Sequence, residues 1–164
     1  IISLIGSPPA MAALFAAAVL YLWRARERTL LVAWVLSYTG GTILDGVMKE
    51  VVRRPRPEYA MRFLHYNSWS FPSGHSVGSL IGFAMLAFTI VRVWPVKSTR
   101  WRIFIWAGAV ITTVLVGYSR IYLAVHYLSD VIAGYTLGVL WLAVCFTGVE
   151  MVNRRAELRR APTT

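Results

Sequence analysis

Five apolar runs, separated by short charged segments, constrain this chain more than any other feature. They read as helices over residues 10–23, 30–48, 76–94, 103–118 and 127–151. A soluble domain of 164 residues, 57% of them hydrophobic, could not hide that much apolar surface. Lipid is the solvent that suits it. The first run is short for the ~20 residues that a crossing needs, unless it starts earlier, at Pro8 and Pro9, where proline is tolerated at a helix start. The expected fold is all-α, a polytopic transmembrane helix bundle with five visible crossings. With no repeat and no long linker, it forms one domain over residues 1–164. Gly40 and Gly41 in the second run favour close helix packing in lipid.

Charge then orders the crossings. The net charge of +10 would point to nucleic acid in a soluble chain, but here the basic residues gather between apolar runs, and nucleic-acid binding is not expected. Arg24, Arg26 and Arg28, the stretch from Arg92 to Arg102, and the tail with Arg154, Arg155, Arg159 and Arg160 fall on one side if each run crosses once. The positive-inside rule makes that side cytoplasmic. Connections 49–72 and 119–126 then lie outside, and a further helix ahead of Ile1 would restore the common inside start. Cys145 stands alone, and no Cys/His cluster offers a zinc site.

The outer connection 49–72 departs from this trend, carrying Lys49, Arg53, Arg54, Arg56 and Arg62 against Glu50 and Glu58. Topology does not account for these cations; an anion would. Pro55 and Pro57 stop the helix, so Lys49 and Arg56 can converge on one anion or serve as snorkelling interfacial cations. The next motif, Phe71-Pro72-Ser73-Gly74-His75, leads into a helix whose free N–H groups suit a phosphate. Ser73 can donate to that phosphate or act as an ordinary cap, and Gly74 allows close backbone approach. In the third motif, Ser119-Arg120 precedes His126 and Asp130. Four residues apart, the latter two share a face of the last helix, where the carboxylate can fix the imidazole tautomer for attack or form a purely structural bond.

Each motif heads a stripe of small or polar residues: Gly78, Ser79 and Gly82 below His75; Ser129, Ala133 and Gly134 beside His126 and Asp130; Asp45, Gly46, Thr42, Gly41 and Tyr38 behind Lys49. Such stripes pack helix on helix in lipid. The three helices are therefore expected to meet with their motifs at one end, Asp45 pairing with Lys49 one turn away. Phe63, Tyr66, Trp69 and Phe71 suit anchoring at headgroup level, and His65 fits no motif.

Together the three segments resemble the signature of the type 2 phosphatidic acid phosphatases, a superfamily shared with soluble bacterial acid phosphatases and vanadium haloperoxidases. The pattern Lys-x6-Arg-Pro, Pro-Ser-Gly-His, Ser-Arg-x5-His-x3-Asp is met by Lys49 to Pro57, Pro72 to His75 and Ser119 to Asp130. The resemblance spans residues 30–151, and the departure is at the N-terminus, where membrane members usually have six crossings. It implies a two-step phosphoryl transfer. His126 would be the nucleophile, oriented by Asp130, and His75 the acid and then the base. Lys49, Arg56, Ser73, Gly74 and Arg120 would hold the phosphoryl oxygens. No metal and no cofactor are implied.

The expected activity is that of a cell-membrane lipid phosphatase, in a bacterial inner membrane, with its site outside and with lipid phosphate and membrane lipids as partners. Undecaprenyl diphosphate, phosphatidylglycerophosphate, phosphatidic acid and lipid A would present the same phosphate, so the motifs do not choose among them. A haloperoxidase is disfavoured by the apolar spans. An anion transporter or channel would need Lys49 and Arg56 but not His126 with Asp130.

Overall fold

The computed structural model describes residues 2–58, 60, 68–94 and 96–160, without the side chains of 153 and 156–160. Six helices and no strand occur among the described residues: α1 (Ile2–Ile5), α2 (Pro8–Arg24), α3 (Arg28–Val52), α4 (Gly74–Val93), α5 (Thr99–Tyr122) and α6 (Leu128–Arg160). The all-α bundle is as expected. Four helices are long and apolar enough to cross a membrane: α3, α4, α5 and residues Leu128–Val152 of α6. α2, with 17 residues, remains shorter. It starts with Pro8 and Pro9 inside its first turn, and Ser7 caps it by accepting from the Ala10 N–H, the arrangement proline favours.

α4 is the hub, packed against α2, α3, α5 and α6. Of its apolar window 44% is buried, against 17% for α5, which decides which helix is central and which faces lipid. Small residues permit this position. Gly82 lies against Met11 and Leu14 of α2, Gly41 against Ile81, and Gly40 against the Trp141 ring. With little hydrophobic drive between helices in lipid, such close packing and interhelical hydrogen bonds hold the bundle. Buried Trp34 donates to Thr89 Oγ1 at 2.8 Å, joining α3 to α4. The ring of Tyr21 lies 5.6 Å from that of Trp94, bringing the end of α2 to the end of α4.

The stripe on α3 differs from expectation. Gly46 is exposed, with no atom within 4 Å of where its Cβ would be. Tyr38, Thr42, Asp45 and Lys49 instead line a cavity. Tyr38 also stacks on Phe15 of α2, ring centroids 4.7 Å apart, so this face meets both a void and a neighbouring helix.

Gly134 shows how tightly α6 meets the start of α4. A Cβ there would stand 2.9 Å from the Ser73 carbonyl oxygen and 2.9 Å from Ser76 Cβ. Gly134→Ala must therefore push the two backbones apart, and overpacking of this kind costs about 1–3 kcal/mol. A lower melting midpoint in detergent is expected; an unchanged midpoint would contradict the packing.

Candidate active site

The three motifs converge at one end of the bundle on a cavity of about 430 Å³, lined among others by Lys49, Arg56, Gly74, His75, Arg120 and His126. α3 delivers the first cation. Lys49 donates to Asp45 Oδ1 at 2.6 Å and to the Pro72 carbonyl at 2.7 Å, so the expected Asp45–Lys49 pair forms. It also ties the first motif to the second. Gly74 makes room for this: a Cβ there would lie 3.1 Å from Asp45 Oδ2 and 3.5 Å from Lys49 Nζ.

α3 ends at Arg53, whose φ of 48° turns the chain out of the helix. Arg56 then runs inward and is 8% exposed. Its guanidinium donates to the Ser68 and Val125 carbonyls at 3.0 and 3.1 Å and to Ser68 Oγ at 3.0 Å. It also contacts His126 Nε2 at 3.2 Å. Guanidinium has no acceptor, so Nε2 must present its lone pair and Nδ1 must carry the hydrogen. That is the tautomer an Nε2 nucleophile needs.

Ser73 occupies the N-cap position of α4 but makes no side-chain cap bond. Its fully buried Oγ has no hydrogen-bond partner, and neither has Nε of buried Arg120. Buried polar atoms are nearly always paired; Arg120 lines the cavity, where an anion would satisfy its Nε, whereas Ser73 lies beneath the wall and is not among the lining residues. Arg120 Nη1 meanwhile donates to Ser3 Oγ of α1, and the cavity wall continues through Gly6, Pro8 and Met11. His75 lines the cavity, half-buried.

The third motif is built differently from the helical face expected of it. α5 continues to Tyr122, so Ser119 and Arg120 are helical, and the turn is confined to residues 123–127, with Ala124 at φ 50°. His126 precedes α6, which begins at Leu128. Its proximity to Asp130 thus comes from a turn rather than from helix periodicity. Asp130 Oδ2 lies 3.6 Å from His126 Nδ1, beyond a good hydrogen bond.

Two residues outside the expected set complete this contact. Buried Ser70 donates to Asp130 Oδ2 at 2.5 Å and stands 3.4 Å from His126 Nδ1, bridging the two. Arg54 pairs with Asp130 Oδ1 at 2.9 Å, bonds Ser129 Oγ at 2.6 Å and lies over the Tyr127 ring. The Tyr127 N–H adds a third donor to fully buried Asp130. The backbone supports this: Ser70 N–H donates to the Arg54 carbonyl, and Ser73 N–H to that of Asp130. Their positions inside and between the motifs were the only sequence signal. Phe63, His65 and Tyr66 lie outside the described residues.

Burial, then the charges of Arg56 and Arg120, push the His126 pKa down to about 3, Asp130 opposing them. The imidazole is therefore neutral throughout the physiological range, as a nucleophile must be. Its 15N resonances, assigned with His126→Gln, are expected to remain those of neutral imidazole with the proton on Nδ1 down to pH 5. Imidazolium shifts at pH 6 would contradict this.

No group of three or more His, Cys, Asp or Glu side chains able to hold a metal occurs among the described residues. The family model described as PAP2 superfamily matches residues 30–154, which include all three motifs. The chain belongs to the PAP2 superfamily. It is 40% identical over 107 residues to phosphatidylglycerophosphatase B of Bacillus subtilis (strain 168), a match covering 65% of this chain and 51% of the relative. To an undecaprenyl-diphosphatase of Sulfolobus acidocaldarius it is 31% identical over 130 residues, covering 76% and 57%. The crystal structure described as the first transmembrane PAP2 type phosphatidylglycerolphosphate phosphatase, from Bacillus subtilis, superposes with a TM-score of 0.82 at 28% identity, covering 92% of this chain and 74% of that one. The chain spans about half the length of these two curated relatives.

Proposed function

We propose that this PAP2 membrane protein is a lipid phosphatase that cleaves a phosphomonoester or diphosphate through a phosphohistidine on His126. The observation that carries the reading is the buried, unpaired Nε of Arg120 in a cavity that also holds Lys49, Arg56 and both motif histidines. Away from these cations the cavity is walled by Met11, Val77 and Ile81, which fits a substrate with an apolar body. The names of the relatives, acting on phosphatidylglycerophosphate and undecaprenyl diphosphate, agree with that class.

In the first step the phosphoryl oxygens take over the guanidinium of Arg56 and meet Lys49, Arg120, Ser73 Oγ and the Gly74 N–H. His126 Nε2, released from Arg56, forms the N–P bond as the bond to the lipid oxygen breaks. Protonated His75 gives its proton to that leaving oxygen. Asp130, directly and through Ser70, stabilises the positive imidazole. In the second step neutral His75 takes a proton from water, whose oxygen attacks phosphorus; the N–P bond breaks and phosphate leaves. Fixed cations aimed at developing charge supply the transition-state stabilisation.

The test is phosphate release by purified protein from a panel of phospholipid monophosphates and polyprenyl diphosphates. Release in the presence of EDTA, inhibited by orthovanadate, is expected. Activity lost to EDTA and restored by Mg²⁺ would overturn the metal-free mechanism. No release from any lipid phosphate would leave an anion carrier as the better reading.

The basic segments gather at the opposite end of the bundle, which supports an active site facing outward from a bacterial inner membrane. In a Cys145→Ser background, Glu58→Cys should label with an impermeant maleimide in intact cells, and Ser98→Cys only after lysis. The reverse pattern would invert the topology.

A further inference from the structure

At the end of the bundle away from the catalytic cavity, α2 turns into α3 through Ala25, Arg26 and Glu27. Arg26 sits at φ 60°, a left-handed conformation that costs a non-glycine residue on the order of 1 kcal/mol. Arg24, Arg26 and Arg28 together line a hollow of about 500 Å³ with Leu22 and Leu31. No ion pair joins any of the three to an acid among the described residues. Membrane orientation requires cations on this side, but neither their convergence on one hollow nor a strained residue at its centre.

Arg28 also stands at the mouth of a second hollow of about 510 Å³ between α3 and α6, walled by Val32, Leu36, Trp141, Val144 and Gly148. Val32, Leu36 and Val144 are each more than half exposed, so this groove faces the bilayer. Eight residues separate Arg28 from Leu36, about 12 Å of helix at 1.5 Å per residue. Half of a hydrocarbon core is about 15 Å. The groove therefore runs from headgroup level most of the way to the midplane, charged at the outer end and apolar at the inner. At Gly148 an added Cβ would meet nothing within 4 Å, so the groove is open there.

We propose that the three-arginine hollow and the α3–α6 groove form one binding site for an anionic phospholipid of the leaflet that the active site does not face. Its phosphate sits among Arg24, Arg26 and Arg28, and one acyl chain lies between Val32, Leu36 and Val144. The choice of a lipid over a free anion rests on the continuity of the two hollows through Arg28, and the choice of an anionic headgroup on charge complementarity. The lipid bridges the two helices that carry Lys49 and Asp130 at their other ends, beside the hydrogen bonds from Trp141 to the Leu36 and Ser37 carbonyls that join the same helices.

Native mass spectrometry of the purified protein in micelles containing equal dioleoylphosphatidylglycerol and dioleoylphosphatidylcholine tests this without reference to catalysis. One phosphatidylglycerol per chain is expected to survive detergent activation that strips phosphatidylcholine, with at least a tenfold preference. Arg26→Gly removes one charge while suiting the left-handed backbone, and Gly148→Leu fills the groove where there is room. Each is expected to lose the bound lipid while keeping a wild-type melting midpoint in detergent alone. Added phosphatidylglycerol should raise that midpoint for the wild type and for neither variant. Equal retention of both lipids, or variants that hold phosphatidylglycerol as well as the wild type, would mean annular lipid only and overturn the proposal. So would phosphate ions alone matching the stabilisation, or a lipid-free dimer lost in Gly148→Leu, which would put a second copy on this face.

Discussion

His126→Ala is expected to abolish phosphate release from every substrate, lipid or not, with a loss on the order of 10⁶-fold, the scale seen when a nucleophile is removed from a catalytic unit. The size follows from the geometry. Nε2 is the imidazole nitrogen of His126 turned toward the cation that would hold the phosphate, Arg56, whereas Nδ1 faces Ser70 and Asp130. Removing the ring leaves Lys49, Arg56, Arg120 and Ser73 in place, so the variant should still bind orthovanadate. Vanadate protection against thermal unfolding, read alongside activity, separates a missing nucleophile from a collapsed site. Residual turnover within tenfold of wild type would remove His126 from the role.

His75→Ala is expected to lower lipid turnover by about 10²–10⁴-fold, the usual worth of general acid–base help, and to do so unevenly. A lipid alkoxide leaves poorly without a proton, whereas a nitrophenolate leaves readily. With p-nitrophenyl phosphate the variant should therefore give a burst of nitrophenol near one equivalent, followed by slow phosphate release because the second step lacks its base. His75 lines the cavity beside His126 without being bonded to it, which suits a group that must meet first a leaving oxygen and then a water. A burst in His126→Ala and none in His75→Ala would require exchanging the two roles.

Much of this site could be read from sequence because its parts are strong local signals. Apolar runs set the helices, Pro55 and Pro57 fixed where α3 had to end, and the Pro72–His75 segment announced a helix start. Other features depend on contacts between segments far apart in the chain. Ser70 and Arg54 act on Asp130, 60 and 76 residues away, and neither residue type nor spacing foretells that pairing. α5 runs past the apolar stretch to Tyr122, because a buried arginine on the last turn of a helix serves a cavity as well as one on a loop does. His126 and Asp130 have helical spacing, yet a turn at Ala124 brings them together. Gly46 matched a packing stripe but faces no helix, because periodicity alone cannot distinguish a neighbour from a void.

The central claim is a covalent bond between phosphorus and His126, and it can be observed directly. His75→Ala is mixed with p-nitrophenyl phosphate, quenched in alkaline denaturant, where phosphohistidine survives, digested, and mapped by tandem mass spectrometry. The account predicts one phosphate per chain, on His126 and labile to acid. Phosphate on any other residue, or full nitrophenol release with no phosphoprotein at any time, would contradict it.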